Sequence, residues 1–210
     1  MLSERQQLQE NEAVLAKPSR LWSLASERFE YVLTLPERFL LDIRYHTWHL
    51  TGDNYQLYLF NKDYEAFLVK LWNYAKEGLP SSLLLSEPKG LISGIGFNFD
   101  GRLVSLDIVR YQHVVKSLNR ERILALLSSK NRKIVLEIGG GYGGLAHHLT
   151  HLCSNVTYVI VDLPETLFFS AIYLSLLNPT KKVYIYTPET FEHVKRCLWD
   201  FDFLNPELSA

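Results

Sequence analysis

The chain is short of cysteine, of methionine and of net charge. Its 210 residues include two cysteines, Cys153 and Cys197, and a single methionine. Two cysteines make no disulfide framework, so a reducing, cytoplasmic setting is expected. Lys and Arg number 22 against 23 Asp and Glu, a formal net charge of −1. That balance lacks the basic footprint that grips phosphate backbones, and no nucleic-acid partner is expected. No apolar run approaches the length of a membrane span, and the opening MLSERQQLQENE lacks the apolar segment of a secretory signal. Neither a P-loop nor a Gly-x-Ser-x-Gly elbow occurs.

Glycine is scarce except in one place. Lys133 to Gly144, KIVLEIGGGYGG, holds five glycines behind a short apolar run. Ile134, Val135, Leu136 and Ile138 read as a buried strand, with Glu137 near its carboxyl end. Gly139, Gly140, Gly141 and Gly143, with Tyr142 among them, read as a turn into a helix over Leu145 to Leu152. The first N–H groups of that helix face the same crevice. Val156 to Val161, VTYVIV, is the second strand, and Asp162, Leu163 and Pro164 follow it. Asp162 lies about twenty residues past the turn, the spacing at which a carboxylate takes ribose hydroxyls. It also suits an N-cap for the helix that Pro164 opens, and both roles are compatible.

Two cofactors fit these glycines. Gly139, Gly141 and Gly144 satisfy G-x-G-x-x-G, the dinucleotide fingerprint. Glu137, Gly139, Gly141 and Gly143 satisfy E-x-G-x-G-x-G, the first motif of class I methyltransferases. A carboxylate at Glu137 would lie close to a dinucleotide's pyrophosphate, where like charge is unfavourable. Asp162 serves either nucleoside.

The run Val135 to Leu149, VLEIGGGYGGLAHHL, followed by Tyr158 to Leu167, YVIVDLPETL, and by Ala171 to Leu174, AIYL, resembles the sugar O-methyltransferase family. The likeness is strongest over about Ile134 to Leu177 and weaker over Phe97 to Leu118. It implies an S-adenosylmethionine-dependent enzyme with a sugar or glycan acceptor, in the setting of surface polysaccharide synthesis. It implies that Glu137 anchors the methionine ammonium and that Gly139, Gly140, Gly141, Tyr142 and Gly143 form the cofactor turn. Asp162 would then hold the ribose, with Leu163 beside the adenine. The implied fold is α/β, with a Rossmann-like parallel sheet. Residues 131–210 have room for four of the seven strands of that class, in order 3-2-1-4, so the sheet is expected to be incomplete and the chain truncated. The outer edge of the fourth strand, itself beside the first, would be open, which calls for a fragment, for a homo-oligomer or another partner, or for the N-terminal segment to fold over it.

Residues 1–130 read as a mainly helical cap. Helices are expected over Ser3 to Lys17, Arg20 to Leu35, Glu37 to Leu50 and Lys62 to Lys76, the last carrying Tyr64, Phe67, Leu68, Leu71, Trp72 and Ala75 at helical spacing. Phe97 to Val104 reads as a hairpin turning at Asp100-Gly101. Ser105 is expected to cap a helix to about Leu118, and Asn119 another to about Leu127. Beyond Asp162 the pattern predicts a helix over Pro164 to Leu177, a strand over Lys182 to Tyr186, a helix over Glu189 to Leu198 and a fourth strand over Phe201 to Leu204. His147, His148 and His151 crowd one helix and read as packing or solvated groups rather than metal ligands. His46 and His49 flank Trp48 and read as structural, although either could serve an acceptor site as a base. Asn205-Pro206 is followed by Glu207 and Leu208, which breaks the N-P-P-aromatic pattern of amino-group methyltransferases. No general base is assigned. The competing readings are a nicotinamide-dependent oxidoreductase and a non-catalytic assembly protein.

Overall fold

The computed structural model describes residues 23–24, 27–28, 30–89, 95–187, 190 and 192. It is a mixed α/β fold with a helical N-terminal region and small sheets. In chain order the α-helices are α1 (Trp48–Thr51), α2 (Leu57–Phe60), α3 (Lys62–Lys76), α4 (Leu106–Arg120), α5 (Ile123–Leu127), α6 (Gly144–Leu152) and α7 (Pro164–Leu177). The strands are β1 (Phe97–Phe99), β2 (Arg102–Val104), β3 (Lys133–Ile138) and β4 (Val156–Val161).

Local chemistry explains most of these boundaries. The Asn61 side chain accepts the Tyr64 N–H and starts α3; Ser105 does the same for α4 through the Ile108 N–H. Leu68, Trp72 and Ala75 fall on one face of α3 and are buried. They meet Ile108, Val109 and Val115 of α4 in the main core, which Leu124 and Leu127 of α5 and Leu149 of α6 complete. Asp100 (φ 52°) and Gly101 (φ 76°) turn β1 into β2 with both residues left-handed, as a two-residue hairpin requires. β3 and β4 pair in parallel, Lys133 opposite Val156 through Ile138 opposite Val161.

Five sequence expectations change. Of the helix expected over Arg20 to Leu35, residues 23–24 and 27–28 are helical and its end is a 3-10 run, Glu30–Thr34. The helix over Glu37 to Leu50 is instead a 3-10 run, Glu37–His46, interrupted at Asp42 and followed by α1. Tighter winding brings residues three apart into line, and Arg44 Nη1 donates to Thr47 Oγ1 at 2.6 Å. Asn119 does not begin a helix: α4 runs through it, and the break falls at Arg122, whose φ is 61°. Asp162 is not the N-cap of α7; Leu163 takes that position and Pro164 the first turn. Lys182 to Tyr186 makes no ladder with β4. Its end is drawn into a turn in which Thr190 Oγ1 donates to the Ile185 carbonyl at 2.7 Å and accepts the Thr187 N–H at 2.8 Å. A cavity of about 590 Å³ separates this segment from β4.

Among the described residues the parallel sheet is therefore the β3–β4 pair, and the four-stranded order 3-2-1-4 is not formed. The helices expected over Ser3 to Lys17 and Glu189 to Leu198 fall wholly or almost wholly outside the described residues, as does the strand expected over Phe201 to Leu204. Among the described residues no helix is long and apolar enough to cross a membrane.

Candidate functional site

The parallel pair delivers Glu137 and Asp162 to the same end of the sheet. Glu137 is the penultimate residue of β3, and Asp162 follows β4 directly. Between them lies the glycine turn. Gly139, Gly141 and Gly143 have φ of 76°, 58° and 84°, in the left-handed region where a Cβ is costly.

The five glycines divide by what surrounds them. A Cβ at Gly139 or Gly141 would meet nothing within 4 Å, so backbone on that side is open to an approaching ligand. Elsewhere the glycines serve packing. A Cβ at Gly140 would lie 2.6 Å from Ile160 Cγ2, and one at Gly144 would lie 2.6 Å from the Tyr111 ring. At Gly143 it would press on Leu174 and Ser170 of α7. The turn is thus seated against β4, α4 and α7 and open at two positions.

Asp162 holds this turn in place. Its Oδ2 accepts the Gly141 N–H at 2.8 Å, and its Oδ1 accepts the Leu163 N–H at 2.7 Å. Each oxygen keeps further lone-pair capacity for a ligand hydroxyl. Glu137 Oε2 accepts the Tyr158 hydroxyl at 3.0 Å. Burial pushes both carboxyls above the ordinary carboxylate range, and the nearby Asp162 adds to the rise at Glu137. The Tyr158 hydroxyl and the two backbone N–H groups act in the opposite sense. Leu163 is half-buried at the start of α7.

The Tyr142 side chain turns away from this opening. It is buried, with its ring edge-on to Tyr173 at 4.9 Å and 4.6 Å beneath the Arg44 guanidinium. Tyr142 thus meets the crevice through its backbone, while its ring joins a buried ionic cluster. Arg44 Nη2 donates to Glu87 Oε1 at 2.8 Å and Asp107 Oδ2 at 3.0 Å, and Nη1 donates to Tyr55 as well as Thr47. Ser105 Oγ donates to Glu87 Oε1 at 2.5 Å. Burial opposes the charge on Arg44, yet Glu87, Tyr142, Tyr55 and Asp107 hold its pKa well above the ordinary value. Burial raises the Asp107 carboxyl to about 6, although Arg44 works to lower it. Sequence reasoning passed over this cluster because Glu87 and Asp107 lie 43 and 63 residues from Arg44. The local hint was Arg44 and Thr47 at i, i+3, overshadowed by the neighbouring histidines.

Those histidines are packing groups. His147 and His148 are buried, and desolvation lowers them to about 3 and about 4. His46 Nδ1 lies 2.7 Å from the Tyr31 hydroxyl, and His49 packs on Trp48 with ring centroids 3.5 Å apart. Burial lowers both. Among the described residues no three His, Cys, Asp or Glu side chains gather as a metal site. No family model, curated protein or solved structure matches the chain.

Proposed function

We propose that this protein is an S-adenosylmethionine-dependent methyltransferase acting on a sugar or glycan hydroxyl. The observation that carries the cofactor reading is the pairing of open backbone at Gly139 and Gly141 with carboxylates at both strand ends, Glu137 and Asp162. A glycine turn without a ligand needs left-handed residues; it does not need an unfilled side flanked by two acids. Asp162 suits a ribose diol in either cofactor; Glu137 suits a ligand that offers an ammonium there and opposes one that offers a pyrophosphate.

The residues present fit such a cofactor. Glu137 accepts a hydrogen bond from the methionine ammonium while Tyr158 holds its other face. Asp162 accepts the ribose hydroxyls with its remaining lone pairs and keeps Gly141 fixed. Gly139, Gly140, Gly141, Tyr142 and Gly143 line the cofactor with backbone, and Leu163 covers the adenine. S-adenosylmethionine, when bound, supplies an electrophilic methyl group for in-line displacement by the acceptor oxygen. The protein's share is alignment of the acceptor and exclusion of water. The acceptor class comes from the sequence resemblance.

Isothermal titration with S-adenosylhomocysteine and with NAD tests the cofactor. Binding of the first with no response to the second is expected. The reverse would establish a nicotinamide enzyme in the same turn. Binding of S-adenosylhomocysteine with no methyl transfer to any sugar nucleotide or glycan would favour a non-catalytic assembly role.

A further inference from the structure

We propose that Arg44 is a positioning residue for the glycine turn, seating the Tyr142 ring so that Gly141 and Gly143 hold the left-handed angles that keep the crevice open. Tyr142 stands between those two glycines, at φ 58° and 84°. Its ring is the turn's one large side chain, and it is 1% exposed. On the strand side the turn is held by Asp162 through the Gly141 N–H. On the other side it is held by that ring, which is clasped between Arg44 and Tyr173. Arg44 is itself held on several sides: it is 0% exposed, with both terminal nitrogens bonded to side chains from four positions.

The cluster joins parts of the chain that are remote in sequence. Arg44 belongs to the N-terminal 3-10 run, Glu87 to the segment before β1, and Ser105 and Asp107 to the start of α4. The N-terminal region therefore shapes the turn rather than lying over it. A planar guanidinium suits this place because it bonds two carboxylates through its edge while offering its face to an aromatic ring. An ammonium lacks that planar fork and the flat face that stacks on a ring. Buried ion pairs contribute little net stability, and a geometric role suits this one.

The link from Arg44 to the turn stands on contacts alone; its effect on cofactor binding rests on the methyltransferase reading. Amide hydrogen exchange on the full chain separates the two. In Tyr142→Leu, exchange across residues 139–144 should accelerate about tenfold, the scale of a desolvated cation–π contact, while β3 and β4 stay within about twofold of the parent. Arg44→Met leaves Glu87 and Asp107 without their cation, so it should accelerate the whole chain and the turn more than β3 and β4. Arg44→Lys should not restore the turn. Tyr142→Phe, which keeps the ring, should stay within about twofold. S-adenosylhomocysteine affinity should fall about tenfold in Tyr142→Leu. Unchanged exchange in the turn of Tyr142→Leu overturns the proposal. So does equal acceleration of the turn and the strands, which marks a general loss of stability. If Arg44→Met does not fold, the two Tyr142 variants decide. A parent that ignores S-adenosylhomocysteine, with a turn still loosened in Tyr142→Leu, rejects the cofactor and keeps the positioning role.

Discussion

At the scale of single residues, the glycines make opposite predictions. Gly140→Ala would force a Cβ to 2.6 Å from Ile160 and 3.1 Å from Glu137. It should cost about 1–3 kcal/mol in urea denaturation through overpacking. The Cβ of Gly141→Val meets nothing within 4 Å, so its cost to the fold is chiefly the left-handed strain, about 1–2 kcal/mol. Its branches would fill the ligand's approach. S-adenosylhomocysteine binding should vanish while far-ultraviolet circular dichroism stays near the parent's; undiminished binding would place the crevice elsewhere. Asp162→Ala removes the acceptor of the Gly141 and Leu163 N–H groups. Calorimetry should show affinity weaker by about 1–3 kcal/mol, and equal affinity would leave Asp162 only its backbone role. The buried histidines predict acid sensitivity. His147 and His148 titrate in the fold near 3 and 4, below the unfolded value of about 6.5. Protons then bind the unfolded chain first, so stability is full above about 6.5 and falls as pH drops through that value toward 4. Asp107, raised to about 6, acts oppositely: its charging costs stability as pH rises from about 4 to 6. Glu137 and Asp162 are raised too and act with Asp107, while His46 and His49 are lowered and act with the buried pair. Between pH 7 and pH 5, where the unfolded histidines take up their protons and the unfolded carboxyls stay charged, the histidines dominate. The urea midpoint should therefore drop between pH 7 and pH 5, and drop less in His148→Gln. A parental slope in that variant would remove His148 from the account.

At the scale of elements, caps and turns set the boundaries that sequence could show. Asn61 accepts the Tyr64 N–H at 3.0 Å on an exposed helix start. Asn61→Ala should lower the melting temperature through a loss of about 1 kcal/mol, and an unshifted midpoint would show that α3 relies on packing alone. The Ser105 cap, the Asp100-Gly101 hairpin and Pro164 act within four residues, and the apolar stripe of α3 recurs every three or four, which is why α3, the start of α4, β1, β2 and α7 were legible. The 3-10 run was not, because its winding follows Arg44, whose partners come from the far side of the fold. The stretch at Lys182 to Tyr186 has a strand's residues, but its end is taken by the Thr190 turn, and nothing in VYIY announces that competition. The site divides in the same way. Glu137, the open glycines and Asp162 were legible from spacing, since a βα turn fixes their order. The inward ring of Tyr142 was not, since a tyrosine in a glycine turn could face either way. The ionic cluster, not the turn, decides that it faces in.

At the scale of the molecule, the sheet is the exposed part. Leu136, Ile138 and Val161 lie on one face of the parallel pair and are 60%, 81% and 50% exposed. Among the described residues β3 pairs with β4 on one side only, so its other edge offers unpaired N–H and C=O groups beside an apolar surface. Such an edge recruits another strand, from the same chain or from a second copy. Charge at a solvent-facing position opposes that recruitment without touching the Val135 side of the strand, which packs on the core. Leu136→Lys should therefore lower self-association. In sedimentation velocity the parent's coefficient should rise with loading concentration and the variant's should not, with circular dichroism unchanged. If both sediment as monomers throughout, intermolecular pairing is rejected. Slow exchange of the β3 amides in that case would favour pairing with the strand expected over Phe201 to Leu204, because only a neighbour on the free edge protects the N–H groups that β4 does not reach.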